Sequence, residues 1–187
     1  MNPLKLSDVA KEIKFRHFNK GLTLRSTKYF VSQDCRYIFD FDVWLPSINM
    51  NLQRPLVWTE HQKSEFIISV LKGINIPPIS VVQLNGIKDE LTRFEVIDGK
   101  QRLSTAMAFC RGEFPLIWNG NKYYFKDLDK SAQNTIGGDY YLRFDIAYHY
   151  DDEPITDQQK IDWFEMINFT GTPQDEPHLN SLKHRNP

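Results

Sequence analysis

The sequence has few cysteines and shows no sign of a secreted or zinc-bound domain. Its two cysteines, Cys35 and Cys110, lie far apart and have neither CxxC nor CxH spacing. Disulfide frameworks and zinc knuckles need several cysteines or histidines at short, regular spacing. The first residues, Met1–Asp8, also lack the apolar stretch of a signal peptide. We therefore expect reduced thiols and a cytoplasmic location.

Long apolar runs and an excess of one charge are missing as well. No stretch approaches the roughly 20 apolar residues that a membrane-spanning helix needs, and the sequence shows no internal repeat. The 23 basic and 24 acidic residues give a formal net charge of -1. This balance argues against a general nucleic-acid-binding surface and leaves a local basic patch open. We expect no membrane partner, and the sequence does not define the oligomeric state.

The pattern of apolar residues predicts one main domain with two flanking segments. Hydrophobic residues make up 41% of the 187 positions, which is enough for a sizeable core. In residues 1–45, the sequence predicts a short helix over 1–20 with a weak apolar face around Val9. An aromatic-rich extension of irregular chain or short strands should follow it. Residues 46–173 carry alternating strand and helix patterns, and residues 174–187 form a polar tail.

The central pattern is the stretch Phe94–Thr105, which starts as an apolar strand and continues as a helix. Asp98 and Gly99 predict a tight turn between the two, because glycine reaches backbone angles that other residues resist. Beyond the turn, apolar residues recur at helical spacing, at Leu103, Met107 and Cys110.

A strand–turn–helix junction of this kind is suited to anions. The first N–H groups of the helix, and the positive end of its dipole, point at whatever lies before it. Arg102 adds a fork of donors that matches phosphate oxygens. Asp98 would repel a phosphate unless it holds a metal, orients Arg102 or positions a water. From these residues alone, an ordinary Asp-Gly turn before a solvated helix is favoured over a binding site.

The stretch Ile97–Thr105 resembles the signature of the DGQQR family, the N-terminal domain of GmrSD-type modification-dependent restriction enzymes and of related phage-defence proteins. Lys100 stands where the family usually has glutamine. The rest of the core signature is kept, at Asp98, Gly99, Gln101 and Arg102.

A second motif lies earlier in the chain. The run Gln53–Trp58 is similar to the family's glutamine-arginine-proline, aromatic, x, tryptophan run, with Leu56 in place of the aromatic residue. Pro55 disfavours a helix at the residue before it, so this segment should be extended. The resemblance implies that Gln53 and Arg54 face the same pocket as the DGQQR signature. From the residues alone, a surface arginine and a core tryptophan are also consistent.

A third motif closes the last predicted helix, which a capping box at Thr156–Gln159 should open. Phe164, Asn168 and Gly171 resemble the family's third element, a helix that closes on asparagine, x, x, glycine. An ordinary C-cap turn made by Asn168 and Gly171 explains the same residues. Both interpretations stay open.

Hydrophobic periodicity predicts the elements between the motifs. A capping box at Thr59–Gln62 should open a helix, and Asn119-Gly120 should turn a hairpin over 114–125. The other predicted elements are a strand over 79–84, a turn at Asn85-Gly86, a strand over 91–97, a short helix over 128–135 and a strand over 140–148. The acidic run Asp151–Glu153 is interpreted as an acidic loop, with a metal-binding cluster as the alternative.

The resemblance implies an α+β fold similar to that of ParB and sulfiredoxin, with a small mixed sheet flanked by helices. It also implies that the domain binds or hydrolyses nucleoside triphosphates, and that hydrolysis controls DNA cleavage by a separate HNH-type domain. His178 and His184 lack the accompanying acid, asparagine and metal-knuckle spacing of an HNH site. We therefore do not expect an HNH nuclease.

The same resemblance implies the roles of single residues. The catalytic set is Asp98, Gln101 and Arg102, in which Asp98 binds Mg²⁺ or aligns a water. The residues expected to bind the nucleotide and its phosphates are Gln53, Arg54, Gly99, Lys100, Arg102, Ser104 and Asn168. The expected partners are the nucleoside triphosphate and, beyond it, DNA or a DNA-processing protein.

Two alternative functions remain open. One is a non-catalytic DNA- or protein-binding module of ParB-like fold, such as an accessory or phage protein that mimics or blocks a defence complex. The near-neutral charge argues against tight DNA binding by such a module. The other is a ParB-like nuclease, which would need a second acidic or histidine motif that the sequence does not show.

Overall fold

The computed structural model of the chain describes residues 18–22 as backbone, together with residues 26–84, 91–138, 142–148 and 154–169. Several predicted features lie outside these residues: the helix over 1–20 up to residue 17, the turn at Asn85-Gly86, the acidic run Asp151–Glu153, Gly171, and the tail 174–187 with His178 and His184.

The strands in the described part of the chain are β1 (Phe18–Leu22), β2 (Tyr37–Asp40), β3 (Trp44–Leu45), β4 (Met50–Asn51), β5 (Ile79–Gln83), β6 (Thr92–Asp98), β7 (Leu116–Trp118), β8 (Asn121–Tyr123) and β9 (Phe144–Tyr148). The helices are α1 (Thr27–Phe30), α2 (Glu60–Leu71), α3 (Lys100–Cys110), α4 (Lys130–Gly137) and α5 (Asp157–Phe169), with a 3₁₀ turn at Phe125–Asp127.

Five of these strands form one mixed sheet in the order β1-β9-β5-β6-β2. β9 lies parallel to β5, and β2 lies parallel to β6, whereas β1–β9 and β5–β6 are antiparallel pairs. The remaining strands form two short hairpins, β3–β4 and β7–β8. The expected α+β class, a small mixed sheet flanked by helices, is therefore confirmed.

Alternation along β6 shows how both faces of the sheet are covered. Phe94 and Val96 face a core that α2, α3 and α4 fill, while Ile97 faces a second core that contains α5. Successive side chains of a strand point to opposite faces, so Glu95 lies on the side of α5. Its carboxylate lies 2.7 Å from Lys160 Nζ without the geometry of a hydrogen bond. This largely buried ion pair joins α5 to the sheet.

The predicted helix starts and the hairpin turn are confirmed. A capping box made by Thr59 and Gln62 opens α2. A second capping box, made by Thr156 and Gln159, opens α5. The hairpin β7–β8 turns at Asn119 and Gly120, whose φ angles are 50° and 79°. Two successive positive φ angles are the mark of the type I′ turn, whose twist matches that of the strands.

The helix predicted over residues 1–20 is wrong for its last residues, because residues 18–20 belong to β1, which pairs with β9. A weak helical pattern yields to sheet pairing, since pairing satisfies main-chain groups of both strands. In the aromatic extension, where irregular chain or short strands were expected, β2 is such a strand, and α1 is a helix that the sequence did not predict.

Candidate functional site

The junction between β6 and α3 is a one-residue turn. Asp98 ends β6, Gly99 has a φ of 91°, and α3 begins at Lys100. A Cβ at Gly99 would lie 2.6 Å from Ile79 Cδ1 and 3.3 Å from Ile79 Cα. The predicted tight turn is confirmed, and glycine is required there by both the backbone conformation and the lack of space.

The N-terminus of α3 has no side-chain cap. Gly99 occupies the N-cap position, and the first main-chain bond of the helix runs from Leu103 N to Gly99 O at 2.9 Å. Within the part of the chain that the structure describes, the N–H groups of residues 100–102 have no acceptor. Free N–H groups at the positive end of a helix dipole attract anions.

Arg102 is held beside this helix start by two contacts. Its Nη2 lies 2.5 Å from Asp98 Oδ2, and its Nη1 donates a 3.0 Å hydrogen bond to the Pro77 carbonyl. The side chains of Arg102 and Asp98 are 15% and 19% exposed, so the pair is shielded but still reaches solvent. The sequence left three roles open for Asp98: to hold a metal, to orient Arg102 or to position a water. The geometry shows that Asp98 orients Arg102. Among the described residues, Asp98 Oδ1 has no partner.

A cavity of about 210 Å³ lies beside the Asp98–Arg102 pair. Its lining residues are Gln53, Arg54, Trp58, Asp98, Gly99, Lys100, Gln101, Arg102 and Phe164. The two segments that the sequence singled out therefore meet at one cavity.

Two of the lining residues, Trp58 and Phe164, were not predicted from the sequence as site residues. Phe164 is buried, at 2% exposed, while Trp58 is half-buried and packs on Phe66 with ring centroids 5.5 Å apart. Each belongs to a segment that resembles a family motif, and this was the one signal that could have placed them at the site.

Gln53 and Arg54 differ in what their side chains contact. Gln53 Nε2 donates to the Val96 carbonyl of β6, which ties the start of the segment to the sheet. Arg54 is exposed, and in the described ranges its side chain makes no hydrogen bond or ion pair. Its guanidinium is therefore available to a ligand.

Lys100, the residue that departs from the family signature, is 5% exposed and pairs with Asp42, its Nζ lying 2.7 Å from Asp42 Oδ1. The two residues are 58 positions apart, so no local pattern pointed to the pair. The Asp42 carboxylate offsets the charge of Lys100 beside the cavity. Lys100 thus adds less positive potential to the cavity than a free lysine would.

Three other predicted site residues direct their side chains to the main chain. Gln101 contacts the segment 55–58 through its amide. Ser104 Oγ donates to Lys100 O, and Asn168 Nδ2 donates to Phe164 O within α5, both at 2.7 Å. Ser104 and Asn168 do not line the cavity. Their expected role in nucleotide binding stays a prediction, as does the catalytic role of Gln101.

Cys110 lies at the opposite end of α3 from the cavity. Burial raises the pKa of its thiol from 9.0 to about 12, against the opposing effect of the nearby Lys28 and Arg111 charges. The thiolate is the reactive form of cysteine. Cys110, which is partly buried against the core, is therefore protonated near neutral pH and a poor nucleophile.

The protein is an α+β domain in which an uncapped helix start and two arginines, Arg54 and Arg102, meet at one cavity. The family described as the N-terminal domain of the GmrSD restriction endonuclease matches residues 47–181. Because this match covers most of the chain, the protein belongs to that family, and the resemblance seen in the sequence is confirmed. The chain is thus a restriction-related module of the phage-defence type.

The other comparisons add no relative. None of the curated proteins matches the chain, and none of the solved structures does. Across the described residues, no helix has the length and apolar character that crossing a bilayer requires.

Proposed function

We propose that this domain binds a nucleoside triphosphate in the cavity between the Gln53–Trp58 segment and the start of α3, and that it hydrolyses the nucleotide. The observation that carries the proposal is the meeting of an uncapped helix N-terminus with two arginines, Arg54 and Arg102, at one cavity. Helix N-termini and guanidinium groups both bind phosphate well, through free N–H donors and positive charge.

The two arginines have different expected roles. Arg102 is oriented before any ligand arrives, because Asp98 and the Pro77 carbonyl fix its guanidinium. Arg54 has no internal partner in the described structure, so its guanidinium can adjust to a phosphate in the same cavity. One fixed and one adjustable donor fork would together hold the phosphate chain.

The size and lining of the cavity suit the phosphates better than a whole nucleotide. Its volume of about 210 Å³ is below the roughly 300–1,000 Å³ of pockets that enclose entire ligands. The base would therefore lie partly outside, where the half-buried Trp58 offers an aromatic wall. Stacking on an aromatic ring accepts any base, so this lining predicts broad base preference.

Asp98 is the residue that would hold Mg²⁺, or align a water for attack. In the described part of the chain, no three His, Cys, Asp or Glu side chains are grouped to hold a metal. A single carboxylate suits Mg²⁺ nonetheless, because this ion commonly takes one or two carboxylates together with substrate phosphates. When bound, it would supply positive charge that neutralises the phosphates. Asp98 Oδ1 is free for either role.

Membership of a restriction-endonuclease family supports a role for this site in DNA restriction. In the proposed scheme, nucleotide turnover in the cytoplasm controls the action of a DNA-processing partner, and DNA or that partner protein contacts the domain. The non-catalytic module remains the competing proposal. Such a module would bind a nucleotide only if the bound nucleotide regulated the domain without being hydrolysed.

Titration of the protein with ATP, GTP, CTP and UTP in the presence of Mg²⁺ tests the proposal, with calorimetry for binding and phosphate release for turnover. Binding and release that depend on Arg102 support it. Arg111→Ala is the matched control, because Arg111 pairs with Glu113 away from the cavity. Binding without release would favour the non-catalytic module, and absence of binding to all four nucleotides would overturn the proposal.

A further inference from the structure

The side-chain amide of Gln101 makes three hydrogen bonds, all to the main chain of one neighbouring segment. Its Oε1 accepts from Val57 N at 3.2 Å and from Trp58 N at 3.3 Å, and its Nε2 donates to Pro55 O at 3.0 Å. The donor and acceptor ends of the amide are thus both engaged with residues 55–58. We call this set of contacts the amide latch.

The segment that the latch holds has little else to fix it. Residues 54–58 form no helix or strand, and Leu56 and Val57 are 55% and 50% exposed. In the described structure, every hydrogen bond made by the main chain of this segment goes to Gln101. Apart from the packing of Trp58 on Phe66, the latch is therefore the main restraint between its ends.

The ends of the latched segment are the two residues that it contributes to the cavity wall, Arg54 and Trp58. Gln101 lies in the first turn of α3, next to Arg102. One amide thus joins the start of α3 to the segment that carries Arg54 and Trp58.

We infer that Gln101 is a positioning residue, which places the Arg54 guanidinium and the Trp58 indole at the cavity through the amide latch. For its ligand, this inference rests on the proposed nucleotide-binding function. The latch itself does not, since it is a property of the ligand-free protein. In this arrangement, one neutral side chain positions both the cationic Arg54 and the aromatic Trp58. Gln101 therefore adds no charge beside the phosphates.

Amide hydrogen exchange in the ligand-free protein tests the latch without any nucleotide. Gln101→Met keeps the length of the side chain and removes its polar atoms, so exchange at the Val57 and Trp58 amides should rise about 3- to 10-fold, the range for one lost net hydrogen bond. Gln101→Glu keeps the acceptor oxygen and should preserve their protection. Unchanged exchange in Gln101→Met would overturn the inference.

Nucleotide affinity tests the positioning of Arg54. Gln101→Met should weaken binding of the tightest of the four nucleotides about 3- to 10-fold in the wild-type background, and far less in an Arg54→Ala background, because both changes act through one contact. Gln133→Met is the matched control, since Gln133 donates to Leu128 O away from the cavity. Equal losses in both backgrounds would refute positioning of Arg54. If the wild-type protein binds no nucleotide, the proposed function fails, and the exchange data alone decide the latch.

Discussion

Arg102 is the residue that most directly links the cavity to phosphate chemistry. Its guanidinium is fixed by Asp98 and the Pro77 carbonyl before a ligand binds, so little side-chain entropy is lost on binding. Asp98 pairs with Arg102 through one carboxylate oxygen and keeps the other free. The two residues therefore allow separate tests of binding and of chemistry.

Arg102→Ala should weaken nucleotide binding by about 1.5–3 kcal/mol, the usual contribution of a hydrogen bond to a charged group. The loss should lie toward the upper end of this range, because Asp98 then stands unpaired near the phosphates. Calorimetric titration of both proteins measures the difference, and melting temperatures show whether the fold persists. Equal affinities at an unchanged melting temperature would remove Arg102 from the site.

Asp98→Asn should separate turnover from binding. Asparagine suits the turn as well as aspartate does and can still accept a bond from Arg102, so the fold should persist. If Asp98 aligns a water or holds Mg²⁺, phosphate release should fall by orders of magnitude. Binding should persist or tighten, because a negative charge near the phosphates is removed. Turnover near that of the wild type would show that Asp98 has no catalytic role.

At the scale of elements, the site depends on how β6 passes into α3. The strand is held on both sides, by β5 and β2, and the helix packs its apolar face into the core beneath the sheet. Only Gly99 lies between them. Because both elements are fixed, the free N–H groups of the helix start have a defined direction, and any residue that lengthens or strains this junction should disturb the cavity.

Gly99→Ala should destabilise the domain by about 2–4 kcal/mol, since a strained φ and a steric clash act together. The added methyl would lie 2.6 Å from Ile79 Cδ1 and 3.2 Å from Arg102 Nη2, so nucleotide affinity should fall as well. Gly73→Ala is the control, because Gly73 has a φ of 70° and open space around it. Chemical denaturation of the two variants should show a clearly smaller loss at Gly73. Equal losses would mean that the core near Ile79 accommodates the methyl.

At the scale of the whole molecule, the partly buried thiol of Cys110 makes stability depend on pH. Its folded pKa of about 12 exceeds the ordinary value, so above pH 9 the unfolded chain releases a proton that the folded chain retains. Stability is therefore lost as pH rises from 9 toward 12, by at most about 1.4 kcal/mol per pH unit from this group.

The Cys110→Ala variant removes this contribution. Between pH 8.5 and 10.5 its unfolding free energy should fall less steeply than that of the wild type, although it starts lower because of the smaller side chain. Urea denaturation at several pH values measures both slopes. Parallel slopes would show that the Cys110 thiol ionises as readily in the folded state as in the unfolded one.

Much of the candidate site could be predicted because its parts are local. The Asp98-Gly99 turn, the start of α3 and the capping boxes of α2 and α5 depend on residues within four positions of one another, and each is present as expected. The lack of a helix at Gln53–Trp58 agrees with the effect of Pro55 on the residue before it. Patterns at this range are limited by backbone sterics and helical hydrogen bonding, which a sequence displays directly.

The sequence by itself determined the chemistry available to this protein: an uncapped helix start, two arginines and one carboxylate, in segments that mark its family. Only the tertiary structure decided how that chemistry is arranged. It placed β9 between β1 and β5, paired Lys100 with Asp42, and joined the side-chain amide of Gln101, which lines the cavity, to the main chain of residues 55–58. Contacts between distant residues depend on chain closure and on competition among many packings, and no pattern within a few residues records their outcome.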